Sequence, residues 1–523
     1  MEARTRTADQ GAAEAPQPTA NHMSEHQLLA FAVDLDPTGR QPTAASEATV
    51  VGKLNRNLLW TFSILVVLCY IDRTNLSFAA LALNEDLGFS DRVYGTGSGM
   101  FFVGYLLFQV PSNLVLVRIG ARRWLAAIIL AWGLVAALFA VLRTPWQFYV
   151  LRFLLGIAES GTFPGMWFHL TLFYSKDEMS LAWSWMMLSV VVSQLIGAPL
   201  AAGILALNGA LGLRGWQWLF LLEGLPTLGM AAYIFCTLAE SPLQAGFLTQ
   251  AEREWLSQRQ ARQKVQLEAA GAQSTSRQAM CNMRVWYNCT MKIISNIHET
   301  ALLFWLPLLI QSVLDGGAVL DGKQPAVEGA GASNQTVALL CLVPFTVSAI
   351  AIYAVSRHSK ATGERKLHVA VPWAAGCVVL LCLAETLGRT AAGAYVFVSL
   401  STVPSGGNSV VGAWPATYVS GPAAATAAAL INSVGSIGGI VGPVLVGELT
   451  HRTGSYALAM VVLAAVALIH SIMAANFPEL ADSTSPSSPE TDAEKVPGEG
   501  SPHQMDDHQP LVPANMGSST ASQ

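Results

Sequence analysis

Long apolar segments alternate with short polar ones through most of the chain. About 20 apolar residues in succession are enough to cross the hydrocarbon core of a bilayer. Twelve segments between residues 58 and 476 have that character, so the pattern predicts an all-α membrane protein with twelve transmembrane helices. The predicted spans are residues 58–83, 95–117, 124–142, 146–174, 180–207, 216–239, 285–314, 335–356, 367–387, 391–419, 422–448 and 454–476.

The longest polar break inside this region divides the spans into two sets of six. We predict an N-terminal six-helix half at residues 53–240 and a C-terminal six-helix half at residues 285–476. Between them lies a cytoplasmic linker at residues 241–284, which we expect to be partly helical. Two halves with equal numbers of spans are typical of transporters that are built from structural repeats.

The composition excludes an ordinary soluble enzyme. Only 12% of the 523 residues are charged and 52% are hydrophobic, whereas soluble domains carry about 25% charged residues. Residues 1–52 hold seven acidic and three basic side chains, and residues 477–523 hold eight acidic and one basic side chain. We expect both acidic tails to be disordered, because they contain too little apolar surface to form a core.

The distribution of Lys and Arg predicts the orientation, because these residues favour the cytoplasmic side of a membrane. With a cytoplasmic N-terminus, that side holds sixteen Lys and Arg residues and the opposite side holds six. Both termini are therefore predicted to be cytoplasmic. The acidic N-terminal tail differs from an acid-poor transit peptide, so the expected location is the plasma membrane, and an organellar membrane stays open as the alternative.

Several kinds of partner are not expected. The seven Cys residues show no metal-ligand spacing, and most of them lie in apolar segments. No basic stripe outside the spans is dense enough for nucleic acid. The sequence therefore predicts neither a metal or other cofactor nor a nucleic-acid partner, and the bilayer itself is the main surroundings of the chain.

Charged side chains inside the first and fourth spans are the main functional candidates. A charge at the centre of a membrane helix costs about 3 kcal/mol or more to insert, so it normally faces a partner or a wet cavity. Asp72 and Arg73 are adjacent, whereas Arg152 and Glu159 are seven residues apart and share one helix face, about 10 Å apart along the axis. These four residues either line a cavity or form a purely structural ion pair between the two helices, Asp72–Arg152 or Arg73–Glu159.

The chemistry of these side chains suits an anion and a proton. A guanidinium group offers a planar, two-pronged hydrogen-bond donor that matches a carboxylate. A carboxyl group held away from water binds a proton more readily, which is a property that a proton carrier needs.

Other polar residues of the spans are weaker candidates. His298 and Glu299 fall near the middle of the seventh span, with Lys292 two turns earlier. Glu223 follows two Trp residues of the kind that mark a membrane interface, so we interpret it as a shallow structural residue. The further candidates for lining a cavity are Tyr105, Gln109, Gln194, Asn408, Trp414, Asn432 and Ser436.

From residue 58 to residue 476 the sequence resembles the anion:cation symporter family of the major facilitator superfamily, which includes tartrate, phthalate and allantoate permeases and the animal sialic acid and vesicular glutamate carriers. Single motifs are short, but their order along the chain is that of the family. The matching stretches are residues 70–77 (YIDRTNLS), 104–113 (GYLLFQVPSN), 120–124 (GARRW), 152–159 (RFLLGIAE), 213–220 (LRGWQWLF), 304–307 (FWLP), 363–365 (GER), 429–433 (ALINS) and 438–443 (GGIVGP).

The resemblance implies a role for particular side chains. Arg73 and Arg152 would hold the carboxylate of the substrate, and Asp72 and Glu159 would carry the coupling protons. The residues implied to contact other polar groups of the substrate are Tyr105, Gln194 and Asn432. His298, Glu299 and Trp414 complete the cavity as candidates that the resemblance does not support.

The loops at the cytoplasmic side depart from the superfamily pattern. Val117 and Arg357 occupy positions where an acidic residue is usual in the inner gate. Arg122 and Arg123 are present as the basic partners, and Asp177 or Glu178 is expected to pair with them. These departures predict an inner gate with different contacts.

The sequence as a whole predicts a secondary active transporter, not an enzyme, that works as a monomer. It would move a small organic anion together with protons by alternating access. A sodium-coupled or uncoupled anion facilitator is one alternative, and a nutrient sensor on the same scaffold that does not transport is another.

Overall fold

The computed structural model describes residues 44–269, 280–315, 332–412, 414–419 and 421–478. These residues form helices joined by short turns. Within the described ranges, ten helices are long and apolar enough to cross a membrane. The all-α membrane architecture predicted from the sequence is confirmed, whereas most of both predicted tails and part of the linker lie outside the described residues.

The N-terminal half begins earlier than the sequence predicted. The predicted boundary after residue 52 falls inside a helix, and a π-helical turn, Asn55–Leu59, joins that helix to the first long span. The helices of this half are α1 (Ala44–Leu54), α2 (Trp60–Leu87), α3 (Asp91–Ile119), α4 (Ala121–Leu138), α5 (Pro145–Glu159), α6 (Thr162–Thr171), α7 (Lys176–Leu205) and α8 (Gly215–Thr237).

A polar helix, α9 (Gln250–Ala269), follows in the predicted linker, and it agrees with the expectation of a partly helical segment. The helices of the C-terminal half are α10 (Met283–Leu314), α11 (Asn334–Leu340), α12 (Leu342–Thr362), α13 (Lys366–Thr386), α14 (Ala391–Leu400), α15 (Pro404–Val411), α16 (Pro415–Tyr418), α17 (Gly421–Thr453) and α18 (Ala457–Ala475).

The two predicted spans that are absent from the ten long helices are divided into shorter ones. The span predicted at 146–174 occurs as α5 and α6, which meet at Ser160 and Gly161. The span predicted at 391–419 is divided where Pro404 begins α15, because proline lacks the amide hydrogen that a continuous helix needs. Both breaks lie inside long apolar segments, so hydropathy alone does not reveal them.

Glycine allows the helices of the N-terminal half to approach closely. A β-carbon on Gly156 of α5 would lie 1.9 Å from the carbonyl oxygen of Phe101 on α3. On the other side of the same crossing, a β-carbon on Gly104 would lie 2.2 Å from the carbonyl oxygen of Phe153. The backbones of α3 and α5 are therefore in contact beside the charged residues of α5, as small residues permit in membrane helices.

The two halves meet near one end of the bundle. We call the end that holds residues 118–123 the inner end, which the sequence predicts to be cytoplasmic, and the opposite end the outer end. Near the outer end the Tyr94 hydroxyl donates to the carbonyl oxygen of Phe304, at 2.8 Å, and Arg92 pairs with Glu448, at 2.9 Å. These contacts join α3 to α10 and α17, so the halves are in contact at the outer end.

The linker helix α9 is attached to the inner end of the N-terminal half by ion pairs. Lys53 lies 2.7 Å from Glu252, and Arg259 lies 2.9 Å from Glu178 and 3.1 Å from Glu47. Burial alone would raise the pKa of Glu178, but hydrogen bonds from Arg259 and Ser175 outweigh it and lower that pKa. The described part of the linker is therefore docked on the N-terminal half.

Candidate functional site

The centre of the N-terminal half holds an ion pair between the first and fourth spans. Arg73 Nε on α2 donates to Glu159 Oε2 on α5 at 2.9 Å, and the Glu159 side chain is fully buried. The Cys69 thiol also donates to Glu159 Oε2, at 3.3 Å. The Arg73 guanidinium lies 5.1–5.5 Å from the centres of three aromatic rings, those of Tyr70, Phe101 and Tyr105.

Arg152 lies beside this pair but makes no comparable contact. It is 1% exposed, and its Nε and Nη2 atoms are buried without a hydrogen-bond partner among the described residues. Its guanidinium lies 4.8 Å from the ring centre of Phe101 and 5.4 Å from that of Phe304, which belongs to the other half. The faces of aromatic rings attract a cation but leave its N–H groups free for a ligand.

Asp72 completes the charged cluster. The side chain is 6% exposed, and its Oδ2 atom is buried without a hydrogen-bond partner in the described part of the chain. Asp72 and Arg152 attract each other electrostatically without a direct hydrogen bond between them. Of the two ion pairs considered from the sequence, the structure contains Arg73–Glu159. Asp72 and Arg152 do not form an ion pair.

The C-terminal half presents a second charged group. Lys292 Nζ lies 3.5 Å from Glu299 Oε2 on the same helix, α10, and Asn408 of α15 donates a hydrogen bond to Glu299 Oε1. The Lys292 and Glu299 side chains are 27% and 35% exposed. Each half therefore contributes a basic group that is neutralised by an internal carboxylate.

The remaining predicted contact residues occupy varied environments. Tyr105 lies against the Arg73 guanidinium, and Gln194 is half-buried on α7. Asn432 is exposed, and its neighbour Ser433 donates to Gln109 Oε1 of the other half at 2.6 Å. The polar contact that joins the halves at this level is therefore made by Ser433 and Gln109 instead of Asn432.

Two candidates for lining the cavity are enclosed by the C-terminal half. His298 is 2% exposed, and its ring lies 5.1 Å from that of Trp373 on α13. Trp414 is fully buried, and its ring lies 4.5 Å from that of Phe477. Both side chains are as buried as Arg152, and their part in a cavity stays a prediction.

The predicted inner gate has different partners from those expected. Arg122 donates to the backbone carbonyl of Phe235, and Arg123 is exposed. Glu178 pairs with Arg259 of the linker helix, and the side chain of Asp177 lies outside the described residues. The contacts of this region are therefore made with the linker and with α8.

Glu223 lies inside the bundle. It is 7% exposed, and both of its carboxylate oxygens are buried without a hydrogen-bond partner among the described residues. Of the two Trp residues that precede it, Trp216 is 2% exposed with its indole donating to Asp86, and Trp218 is half-buried. The interpretation of Glu223 as a shallow structural residue stays a prediction.

This arrangement suits reversible binding of an anion and exchange of protons. Arg152 offers free N–H donors, Arg73 is held by a carboxylate, and buried carboxyl oxygens lie close to both. Among the described residues, no group of three or more His, Cys, Asp or Glu side chains is placed to hold a metal ion.

Comparison with known proteins gives a consistent family. A model of the Major Facilitator Superfamily matches residues 62–329. A protein named as a tartrate transporter, from Agrobacterium vitis, is 34% identical over 438 residues, which cover 82% of this chain and 91% of the relative. A quinolone resistance transporter from Acinetobacter baumannii is 31% identical, with 82% of this chain and 94% of the relative covered.

Solved structures share the fold at low sequence identity. A bacterial homologue of the human lysosomal transporter Spinster has a TM-score of 0.62 at 14% identity, with 80% of this chain and 95% of that chain covered. The xylose transporter XylE from E. coli has a TM-score of 0.60 at 12% identity, with 79% and 96% covered.

Proposed function

The chain belongs to the Major Facilitator Superfamily and is a multi-pass membrane transporter rather than an enzyme, and we propose that it carries a small organic anion together with protons by alternating access. The observation that carries the proposal is the buried Arg73–Glu159 ion pair beside an Arg152 with free donors. A relative named as a tartrate transporter supports an organic anion as the substrate.

Arg152 is the primary anion-binding group in this proposal. Two buried N–H groups without partners are costly in a dry site, and a carboxylate satisfies both through charge-assisted hydrogen bonds. Arg73 is the second anion-binding group and becomes available when its pair with Glu159 opens. Tyr105, Gln194 and Asn432 would contact other polar groups of the substrate.

Protons are coupled to the anion through competition for the guanidinium groups. While Glu159 is ionised, it occupies Arg73. Protonation of Glu159 removes that charge and frees Arg73 for the substrate. Protonation of Asp72 removes a second negative charge, which attracts Arg152 without a hydrogen bond to it. Binding of the anion therefore favours uptake of protons, and the reverse holds by linkage.

Movement of the two halves would expose the site to each side of the membrane in turn. In the proposed organisation the half at residues 53–240 and the half at residues 285–476 rock about the charged cluster, and the linker at 241–284 connects them. A monomer is sufficient for this mechanism, because both halves belong to one chain.

The proposal is tested with purified protein in proteoliposomes under an imposed pH gradient. Glu159→Gln keeps the shape of the side chain but removes its titration. We expect accumulation of a small carboxylate such as tartrate to fall about tenfold or more relative to exchange at equal pH, since one tenfold step corresponds to about 1.4 kcal/mol of lost coupling.

The matched control is Glu385→Gln, because the Glu385 side chain is 69% exposed and, among the described residues, pairs only with Arg389 in the loop that follows α13. It should accumulate substrate as the wild type does. Uphill uptake by Glu159→Gln at the wild-type level would remove Glu159 from the coupling mechanism. Uptake that disappears when choline replaces sodium would instead establish sodium coupling, and lack of any multiple-turnover flux would favour a sensor.

A further inference from the structure

Glu223 is a buried acidic group that the proposed coupling does not use. Both oxygens of its carboxyl group are buried without a partner among the described residues. The nearby Thr227 hydroxyl donates to the backbone carbonyl of Glu223, at 3.1 Å, and not to its carboxyl group. The position is inside the bundle, between α8 and the helices that pack on it.

Asp72 on α2 is the charged group that acts electrostatically on Glu223. Of the other charged residues of α2, Arg73 pairs with Glu159 and Asp86 accepts from Trp216. The ionisable residues of α4 are Arg122 and Arg123, at the inner end, and neither residues 139–141 nor residues 181–205 of α7 contain an ionisable side chain. Among the described residues, Glu223 therefore has a carboxyl group as its charged neighbour and no cation paired with it.

Charge balance indicates that Glu223 holds a proton. Arg73 and Arg152 are the basic side chains at the middle of the spans of this half, and Glu159 and Asp72 balance them. An ionised Glu223 would be an additional buried charge without a partner, which is strongly unfavourable.

Glu223 lies closer to the outer end than Asp72. The Trp216 indole donates to Asp86 Oδ2 at 2.8 Å, which places these two residues at the same level. Glu223 is seven residues inward from Trp216, about 10 Å along the helix, whereas Asp72 is fourteen residues inward from Asp86, about 21 Å. Glu223 thus lies between Asp72 and the outer aqueous phase.

The C-terminal half contains buried titratable side chains that are in contact with an aromatic ring. There Trp373 stands between two buried His residues, and its ring lies 5.1 Å from that of His298 and 4.0 Å from that of His470. The His470 ring is stacked on Trp373, and the His298 ring meets it edge-on. Glu223 has no such contact, since both of its carboxyl oxygens are buried without a partner among the described residues.

We propose that Glu223 is the proton-binding group nearest the outer end on a proton route that runs between α2, α4 and α8 to Asp72. This route is separate from the anion-binding site. The route rests on the proposed proton coupling. A proton leaves the Glu223 carboxyl group for the first molecule of an intervening chain of water, and the last molecule of that chain passes a proton to the Asp72 carboxylate. Glu223 then takes a proton from the outer aqueous phase, so as many O–H bonds form as break.

The test compares Glu223→Gln with Glu223→Asp in proteoliposomes that contain tartrate. Gln has the shape of Glu but cannot release a proton, whereas Asp can. We expect Glu223→Gln to lower proton-driven accumulation about tenfold or more relative to exchange at equal pH. Glu223→Asp should restore much of the accumulation, and Glu385→Gln, whose side chain is 69% exposed in the wild type, serves as the control that leaves it unchanged.

Each result decides the proposal. Accumulation by Glu223→Gln at the wild-type ratio would overturn the route, as would equal loss of exchange and accumulation in a variant with a wild-type melting temperature. If the Gln variant does not fold, loss of accumulation in a folded Glu223→Asp variant that still exchanges substrate would overturn it, because Asp can still release a proton. A wild-type protein that does not respond to a pH gradient would overturn the coupling itself, which is a distinct outcome.

Discussion

At the scale of single residues, the site stabilises buried cations mainly with aromatic rings. Arg152 has Phe101 and Phe304 on its guanidinium, and such cation–π contacts contribute about 0.5–2 kcal/mol each. They replace part of the hydration of the charge without occupying its N–H donors. An anion that binds Arg152 therefore does not have to displace an internal carboxylate from it.

Substitution of Arg152 should weaken anion binding strongly. Arg152→Gln removes the charge and the two-pronged donor, and hydrogen bonds to charged groups contribute about 1.5–3 kcal/mol. We expect the affinity for a small carboxylate to fall about 10- to 100-fold, measured by isothermal titration calorimetry. Arg389→Gln, whose side chain is 67% exposed in the wild type, should bind normally, and an unchanged affinity of Arg152→Gln would exclude Arg152 from the site.

The sequence predicted which residues of the N-terminal half meet, but not how they pair. The charges of the first and fourth spans stand out because each is costly in lipid, and the seven-residue spacing places Arg152 and Glu159 on one face. The choice of Arg73 as the partner of Glu159 depends on how the helices are rotated and tilted, which spacing does not contain. The burial of both Glu223 carboxyl oxygens was not predicted, because the spacing along the chain does not show which neighbouring helix covers a side chain.

At the scale of helices, close backbone contact positions the site. Gly156 lies one turn from both Arg152 and Glu159, and its α-carbon faces the carbonyl oxygen of Phe101. The contact between α3 and α5 therefore fixes the height and rotation of both charged side chains. The small residues and the proline around Glu159 allow close approach or a kink, and the structure has both, a close crossing at Gly156 and a break at Ser160 and Gly161.

A methyl group at this crossing should destabilise the protein. The β-carbon in Gly156→Ala would lie 1.9 Å from a carbonyl oxygen, so the helices must separate. Such overpacking costs about 1–3 kcal/mol, and we expect a lower melting temperature in detergent by scanning fluorimetry. Gly203→Ala is the matched control, because a β-carbon there meets nothing within 4 Å. Equal melting temperatures for the two variants would contradict the close crossing.

At the scale of the whole molecule, small residues allow the halves to meet at the outer end. Gly95 of α3 faces Pro443 and Gly447 of α17, and a β-carbon on Gly95 would lie 2.6 Å from the carbonyl oxygen of Pro443. The sequence predicted two halves, because helix number and the polar break are visible along the chain. It did not predict which end is closed, because that depends on the fit between surfaces distant in sequence.

Enlarging Gly95 should therefore shift the protein away from the state with a closed outer end. In Gly95→Val the added side chain meets backbone that cannot yield locally, so the halves must separate there. Spin labels at Arg143 and Arg389, in loops at the outer ends of the two halves, report this by electron–electron double resonance in a background whose exposed cysteines are replaced by serine. We expect a new population at longer distance in Gly95→Val and none in Gly203→Val, whereas identical distance distributions would show that this contact does not control closure.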